Sequence, residues 1–512
     1  MVKTISRREL LKLSTLLPLA YFVPAILEGQ KRPSNQPNPP NILIIVFDAW
    51  SATNNSIYGY PRETTPNLNR LAEKAIVYHN HYAGGPHTTP GTATLLTGAL
   101  PWSHRAFNKR DNVANYYETR NIFSSFNDYY RIAYSHNPFA ETYFYQFHRE
   151  LEKHILRQKL YLEEDYLVSQ LLHRDFDIAD LSRGQIFDSF TKPTTNSLYL
   201  PQIYMDTIHK DRESIAQAYK AMYPRGLPSI HRNLYYLLED GIDWLGNNLP
   251  TLPQPFLGYF HFLPPHNPYN TRREFINIFY DNWEPIDKPE HFFTQGQSKT
   301  KMNKERRLYD EYIPLVDSEF NRLMTILGDN GIKDNTWIVV TSDHGEMFER
   351  GIMRHSHKTL HEPVIKVPLI IFPPGQRERI DVYERSSAID LLPTLLNISG
   401  REVPSWCEGI VLPPFSEDGR IQKRSVYAVH LRGNPQYGPA TLGTFCNYKE
   451  QYKLMYFFGY DELPQNEPLI ELYDIEHDPE ELNNLFLNKK SIAAELQNEL
   501  LASLRQAEAP YT

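Results

Sequence analysis

Asn41-Ile-Leu-Ile-Ile-Val-Phe47 is a chargeless, strongly apolar run that ends on Asp48. Continuous apolar runs of this kind belong to strands buried on both faces, as in parallel sheets. A carboxylate at the end of such a strand needs a partner or a metal to offset its desolvation. The pattern returns at Trp337-Ile-Val-Val-Thr341, which leads into Asp343-His344-Gly345-Glu346. Further strands are expected at Ile76–Tyr82, Arg131–Ser135, Phe256–Phe262 and Val367–Phe372. Helical spacing is expected over Pro66–Ala75, Thr88–Gly98, Asn233–Asn247 and Arg306–Leu327, the last stopping at Gly328-Asp-Asn-Gly331. The alternation predicts the α/β class, with a large, mostly parallel sheet flanked by helices. Functional groups then belong at the carboxyl ends of strands, where Asp48, His266, Asp343 and His344 fall.

The expected catalytic domain spans 41–375, with an insertion of helices and loops at about 141–230 that is rich in Tyr, Phe, His and charge and has no clear strand period. After about 376 the pattern changes. A helix at Ala388–Ser399, short strands at Val426–His430, Lys453–Phe458 and Leu469–Tyr473, and an amphipathic helix at Ser491–Arg505 predict a smaller C-terminal α+β domain over 376–512. Residues 1–40 read as signal and linker. Ser6-Arg7-Arg8-Glu9-Leu10-Leu11-Lys12 precedes an apolar stretch, Leu13–Leu27, and resembles a twin-arginine export signal. That stretch is short and proline-broken against the ~20 apolar residues of a spanning helix. A cleaved signal or an uncleaved anchor with peripheral membrane association both fit, and either predicts an extracytoplasmic location, in the periplasm or cell envelope of a bacterium.

At 512 residues with 41% hydrophobic and 13% aromatic residues, the chain has material for a large core, and its formal charge of −8 argues against nucleic-acid partners. The two cysteines, Cys407 and Cys446, are too few for a disulfide scaffold; they either pair once or stay buried. No Walker or GxGxxG motif supports nucleotide binding.

Three elements carry the chemistry. A lone strand-end aspartate is ordinarily a cap, but Asp48 and Asp343-His344 are two such clusters, and together they suit oxygen-plus-imidazole metal ligation. The third is Thr88-Thr89-Pro90-Gly91-Thr92-Ala93-Thr94-Leu95-Leu96-Thr97-Gly98. A threonine there is ordinarily an N-cap. Beside a metal, however, a hydroxyl at a helix N-terminus is placed to become a nucleophile on an anionic ester.

With these residues the sequence resembles the sulfatase branch of the alkaline phosphatase superfamily across nearly all of 41–512. The matching pieces are Asn41–Tyr60, Thr88–Gly98, Tyr134-Ser-His-Asn137, Pro264-Pro-His-Asn-Pro-Tyr269, Tyr309–Gly331, Thr341–Glu346, Lys358-Thr-Leu-His-Glu362, Ala388–Thr394 and Glu471–Glu480. The resemblance implies an alkaline-phosphatase-like sandwich and a metal-dependent ester hydrolase or transferase.

Two departures qualify it. Sulfatases carry a Cys or Ser, oxidised to formylglycine, in a Cys/Ser-x-Pro-x-Arg motif; here Thr88 stands first and Thr92 replaces the arginine. Threonine cannot supply the aldehyde, so no formylglycine is expected. The paired aspartates of the family are Asp48-Ala49 here. A threonine nucleophile resembles instead the lipoteichoic-acid synthases and phosphoethanolamine transferases, which implies Asp48, Thr88, Asp343 and His344 as ligands of one divalent ion. Manganese, magnesium or calcium suits that set, and zinc also fits.

By the same resemblance, His266 contacts the anionic ester or protonates the leaving oxygen, Lys358 lies near the leaving group, and His136 and Asn137 line the substrate. His355 and His357 are expected to bind substrate, and with His361 they either hold a second metal or form a solvated loop. The expected substrate is an anionic ester, phosphoric rather than sulfuric, of an envelope lipid, glycan or polymer. A sulfuric ester hydrolase without formylglycine and a degenerate binding protein that keeps the fold are the alternatives.

Overall fold

The computed structural model describes residues 39–162, 213–230, 234–416, 424–464 and 467–511. The signal and linker, and most of the expected insertion, lie outside the described residues.

Among the described residues, eight strands form the central sheet: β1 Asn41–Phe47, β2 Ile76–Tyr78, β3 Tyr130–Ser135, β4 Lys153–Ile155, β5 Phe256–Phe262, β6 Thr336–Thr341, β7 Leu369–Phe372 and β8 Ile380–Val382. Their order is β8-β2-β7-β6-β1-β5-β3-β4, and only β7 runs against its neighbours. The uninterrupted apolar run of β1 is explained by its central place. Leu43, Ile45 and Phe47 enter one core, Ile42, Ile44 and Val46 the other. Full burial of each such side chain contributes about 1.5–3 kcal/mol.

The helix Lys299–Asp329 covers the first face, and Thr88–Thr97 with Leu391–Ile398 covers the second. The long helix starts one to two turns before the predicted Arg306, because Ser298 caps it by accepting from the Lys301 N–H. Asn233–Asn247 contracts to Leu238–Asn248, with Leu234–Tyr235 extended.

Sheet pairing is found within two of the expected outlying segments. Inside the expected insertion from 141, β4 pairs in parallel with β3 at the sheet edge. Its sequence, Lys-His-Ile, has too little apolar character to announce a strand. The large sheet also continues past 376, since β8 pairs with β2.

The C-terminal sheet is an antiparallel meander of β9 Val426–His430, β10 Gly443–Lys449, β11 Tyr452–Phe458 and β12 Leu469–Asp474. On its outer face Ala493, Leu496, Leu500 and Leu504 of the helix Lys490–Glu508 pack at helical spacing. Its inner face packs Ala428, Cys446, Met455 and Phe457 against Tyr82, Met347, Leu360 and Val364 of the larger part. Lys453, fully buried, fastens this seam through Glu481 at 2.6 Å and Glu362 at 3.2 Å. Cys407 and Cys446 are both free thiols.

Candidate active site

The carboxyl ends of β1, β3, β5 and β6 converge beneath the N-terminus of the Thr88–Thr97 helix. Gly91 permits that approach, because a Cβ there would lie 2.2 Å from Asp343 O. Ala49 turns the chain sharply after Asp48 at φ 57°, a conformation costly for a non-glycine residue. It is held by the Tyr309 hydroxyl, which donates to Ala49 O at 2.7 Å, and by the Ala49 N–H, which reaches Asp343 Oδ1 at 3.4 Å.

The two carboxylates are each fixed by one oxygen. Asp343 Oδ1 also accepts from the His344 N–H at 3.0 Å, which leaves Oδ2 buried without a hydrogen-bond partner. Asp48 Oδ2 accepts from Asn137 Nδ2 at 2.5 Å and meets His261 Nε2 at 3.2 Å, while Oδ1 has no hydrogen-bond partner. His344 Nδ1 faces Gly345 O at 2.9 Å, so Nε2 is presented inward, 3.3 Å from Asp48 Oδ1 and 3.6 Å from Asp343 Oδ2. Thr88 Oγ1 lies 3.4 Å from that Nε2 and 3.2 Å from Asn137 Nδ2. Every group of this set is at most 4% exposed.

His261 is the residue that the sequence reading missed. It pairs in register with Val46 and lies, like Tyr259, on the sheet face that the Thr88 helix covers. Its Nε2 is also 3.8 Å from Asp343 Oδ2, and Asp48, His261 and Asp343 offer ligand atoms that all lie within 4.8 Å of one another. A lone polar residue in an otherwise apolar strand, one position from its carboxyl end, was the available signal.

The electrostatics favour a cation. Burial lowers the His344 imidazole, yet Asp343 and Asp48 prevail and lift it to about 9. Burial raises both carboxylates; the His261 hydrogen bond and the nearby His266 and His344 rings bring Asp48 well below its ordinary range, while the charge of Asp48 helps hold Asp343 above its own. Two orphaned carboxylate oxygens, two inward imidazole nitrogens and a hydroxyl therefore fit a divalent metal ion. The second imidazole makes the set richer in nitrogen than the one expected from sequence.

The remaining expected residues divide. The His355 ring lies tilted, 4.3 Å from His344 and 5.0 Å from His266 between centroids, and its Nδ1 is 3.0 Å from Glu346 Oε1. Burial holds both His355 and His266 below the usual imidazole range and pushes the Glu346 carboxyl up to about 7. His266 Nδ1 faces Asn267 O at 2.7 Å, which leaves its Nε2 for chemistry.

Asn137 enters the centre, but its neighbour His136 packs among Tyr134, Tyr161, Tyr236 and Phe262, with Nδ1 taking the Leu263 N–H. Lys358 is tied to Glu462 and lies over Tyr460 and Phe293, so His355 rather than Lys358 stands beside His344. His357 braces its loop through Arg354 O and Thr359. None of the three loop histidines is solvated; His361 is fully buried and groups with His291 and Glu471, away from His355.

The Sulfatase family model matches residues 40–400, and the model of the N-sulphoglucosamine sulphohydrolase C-terminal region matches 352–509. N-acetylgalactosamine-6-sulfatase of Sus scrofa is 25% identical over 427 residues, covering 80% of this chain and 71% of that protein. Choline-sulfatase of Rhizobium meliloti is 24% identical, covering 88% and 83%. Among solved structures, the phosphonate monoester hydrolase SpPMH from Silicibacter pomeroyi superposes with a TM-score of 0.61 at 20% identity, covering 92% of this chain and 96% of that one. The phosphonate monoester hydrolase of Agrobacterium radiobacter superposes with a TM-score of 0.62 at 19% identity, covering 91% and 95%.

Proposed function

The chain belongs to the sulfatase family and is an ester hydrolase, and within that family we propose a metal-dependent enzyme that uses Thr88 as its nucleophile and prefers phosphoric to sulfuric esters. The observation that carries this reading is the position of Thr88 Oγ1. It sits in the first turn of a helix, 3.4 Å from His344 Nε2 and 3.2 Å from Asn137 Nδ2, which also donates to the buried Asp48. Threonine cannot become formylglycine, so the sulfatase route through an aldehyde is closed to this chain.

Asp48, His261, Asp343 and His344, with Thr88, would hold the ion. With two imidazoles and two carboxylates, zinc or manganese suits the set better than calcium or magnesium. A bound ion supplies Lewis-acid activation of the hydroxyl and neutralises ester charge. Asn137 holds Asp48 and the Thr88 oxygen in register. The helix N–H groups around Thr88 face the anion. In the first step the Thr88 oxygen would bond to phosphorus as the bond from phosphorus to the ester oxygen breaks, and the proton lost by Thr88 would pass through a neutral imidazole, His266 or His355, to the departing oxygen. Water, or an acceptor alcohol, then cleaves the phosphothreonine and restores Thr88.

The names of the curated relatives favour sulfuric esters as the second reading. A panel of an aryl phosphate, an aryl phosphodiester and an aryl sulfate, run on metal-loaded wild type, Thr88→Ala and Thr88→Ser, separates the two. Phosphoester turnover that is abolished by Thr88→Ala and partly kept by Thr88→Ser is expected. Full activity in Thr88→Ala, or turnover of the sulfate alone, contradicts the reading.

The physiological substrate would be an anionic ester of an envelope lipid, glycan or polymer, reached by export through the Ser6–Lys12 motif. Changing Arg7 and Arg8 together to Lys keeps the charge and is expected to stop export; unchanged envelope delivery of the double variant would remove the twin-arginine route.

A further inference from the structure

The Thr88–Thr97 helix contains no basic residue, and Thr92, one turn below the nucleophile, is fully buried. A phosphoryl or sulfuryl group nevertheless presents several negative oxygens that need donors. The C-terminal sheet brings candidates to the place. The Val429 N–H donates to Gly84 O at 2.8 Å, which docks the end of β9 on the loop leading into the nucleophile helix. His430, the last residue of β9, meets His87 edge to face with ring centroids 5.9 Å apart, and His87 immediately precedes Thr88. The rings are 5% and 6% exposed, and both His87 Nε2 and His430 Nδ1 are buried without a hydrogen-bond partner among the described residues.

Two residues further on stands Arg432. It is half-buried and makes no hydrogen bond or ion pair among the described residues. The turn that carries it is fixed: Gly433 adopts φ +102°, its N–H donates to Asn108 Oδ1 at 2.8 Å, and Asn108 Nδ2 donates to Asn434 O at 3.1 Å.

We propose that Arg432, with the open nitrogens of His87 and His430, forms an anion-binding subsite which the C-terminal sheet lends to the active site, supplying for the non-reacting oxygens of the bound ester the positive charge absent at Thr92. The inference rests on the assignment of Thr88 as the reacting centre, because that fixes where the anion lies. An imidazole N–H and a forked guanidinium suit a tetrahedral oxyanion, and a lysine in place of the arginine would match it less well.

The test measures inorganic phosphate and sulfate binding by calorimetry to full-length, metal-loaded wild type, Arg432→Gln and Arg432→Lys, with thermal melts to confirm folding. Arg432→Gln is expected to weaken oxyanion binding by about tenfold or more, the size of one charge-assisted hydrogen bond, with Arg432→Lys in between. With an aryl phosphate, KM should rise more than kcat falls. Equal oxyanion affinity in wild type and Arg432→Gln overturns the subsite, as does a wild type that binds neither ion at millimolar concentration. If the affinity drops but no phosphoester is turned over, the subsite stands and the Thr88 reading fails. If Thr88-dependent turnover is seen with an indifferent Arg432→Gln, the subsite alone fails.

Discussion

His261 Nε2 stands 3.2 Å from Asp48 Oδ2, across the register that pairs His261 with Val46 on the neighbouring central strand. As a direct ligand it should matter at least as much as an outer partner of a metal site, whose loss costs about 10–100-fold in affinity. His261→Ala is therefore expected to release a divalent ion to a competing chelator at about tenfold lower chelator concentration or less, and Asp343→Ala to lose metal and activity together. Elemental analysis after chelator titration checks both; undiminished retention in His261→Ala would remove it from the ligand set.

The His355 ring lies 4.3 Å from that of His344, and the His266 ring 5.0 Å from that of His355. A general acid matters most when the leaving oxygen is basic. His266→Ala should slow an alkyl phosphate by about 10²–10⁴-fold and a nitrophenyl phosphate much less, with His355→Ala as the companion variant. Equal losses on both substrates in both variants would assign the pair to binding rather than proton transfer.

His81 reports on stability, away from the site. It is fully buried, with Nδ1 2.8 Å from Ser386 Oγ, and burial depresses it from 6.5 to about 4. Between those values the unfolded chain binds a proton that the folded chain refuses, so stability is lost as pH falls from 6.5 toward 4 and the contribution is constant outside that window. The lowered imidazole accounts for about 3 kcal/mol across the window. Thermal unfolding of His81→Asn between pH 4 and 7 should show a shallower pH dependence than wild type; an identical dependence would mean that His81 is not the group responsible.

Much of the centre was legible because it rests on local pattern. An apolar run that stops at Asp48, a second that stops before Asp343-His344, and a threonine opening a short helix each announce themselves within a few residues. His261 did not, because its meaning depends on which strand lies beside it: the register with β1 joins residues more than 200 positions apart. His355 was preferred over Lys358 by a loop whose lysine is drawn to Glu462 of the C-terminal part, again a non-local choice. The edge strand Lys153–Ile155 was hidden for a different reason. Paired on one side only among the described residues, it has no need of the apolar run that marks the central strands.

The identity of the nucleophile is tested most directly by rapid acid quench of the metal-loaded enzyme with an aryl phosphate, followed by peptide mass spectrometry. The account predicts one phosphoryl group on Thr88, present at Thr88→Ser in lower yield and absent in Thr88→Ala, which is also inactive. Turnover of the aryl phosphate with the phosphoryl group on any other residue, or full turnover by Thr88→Ala, would contradict it.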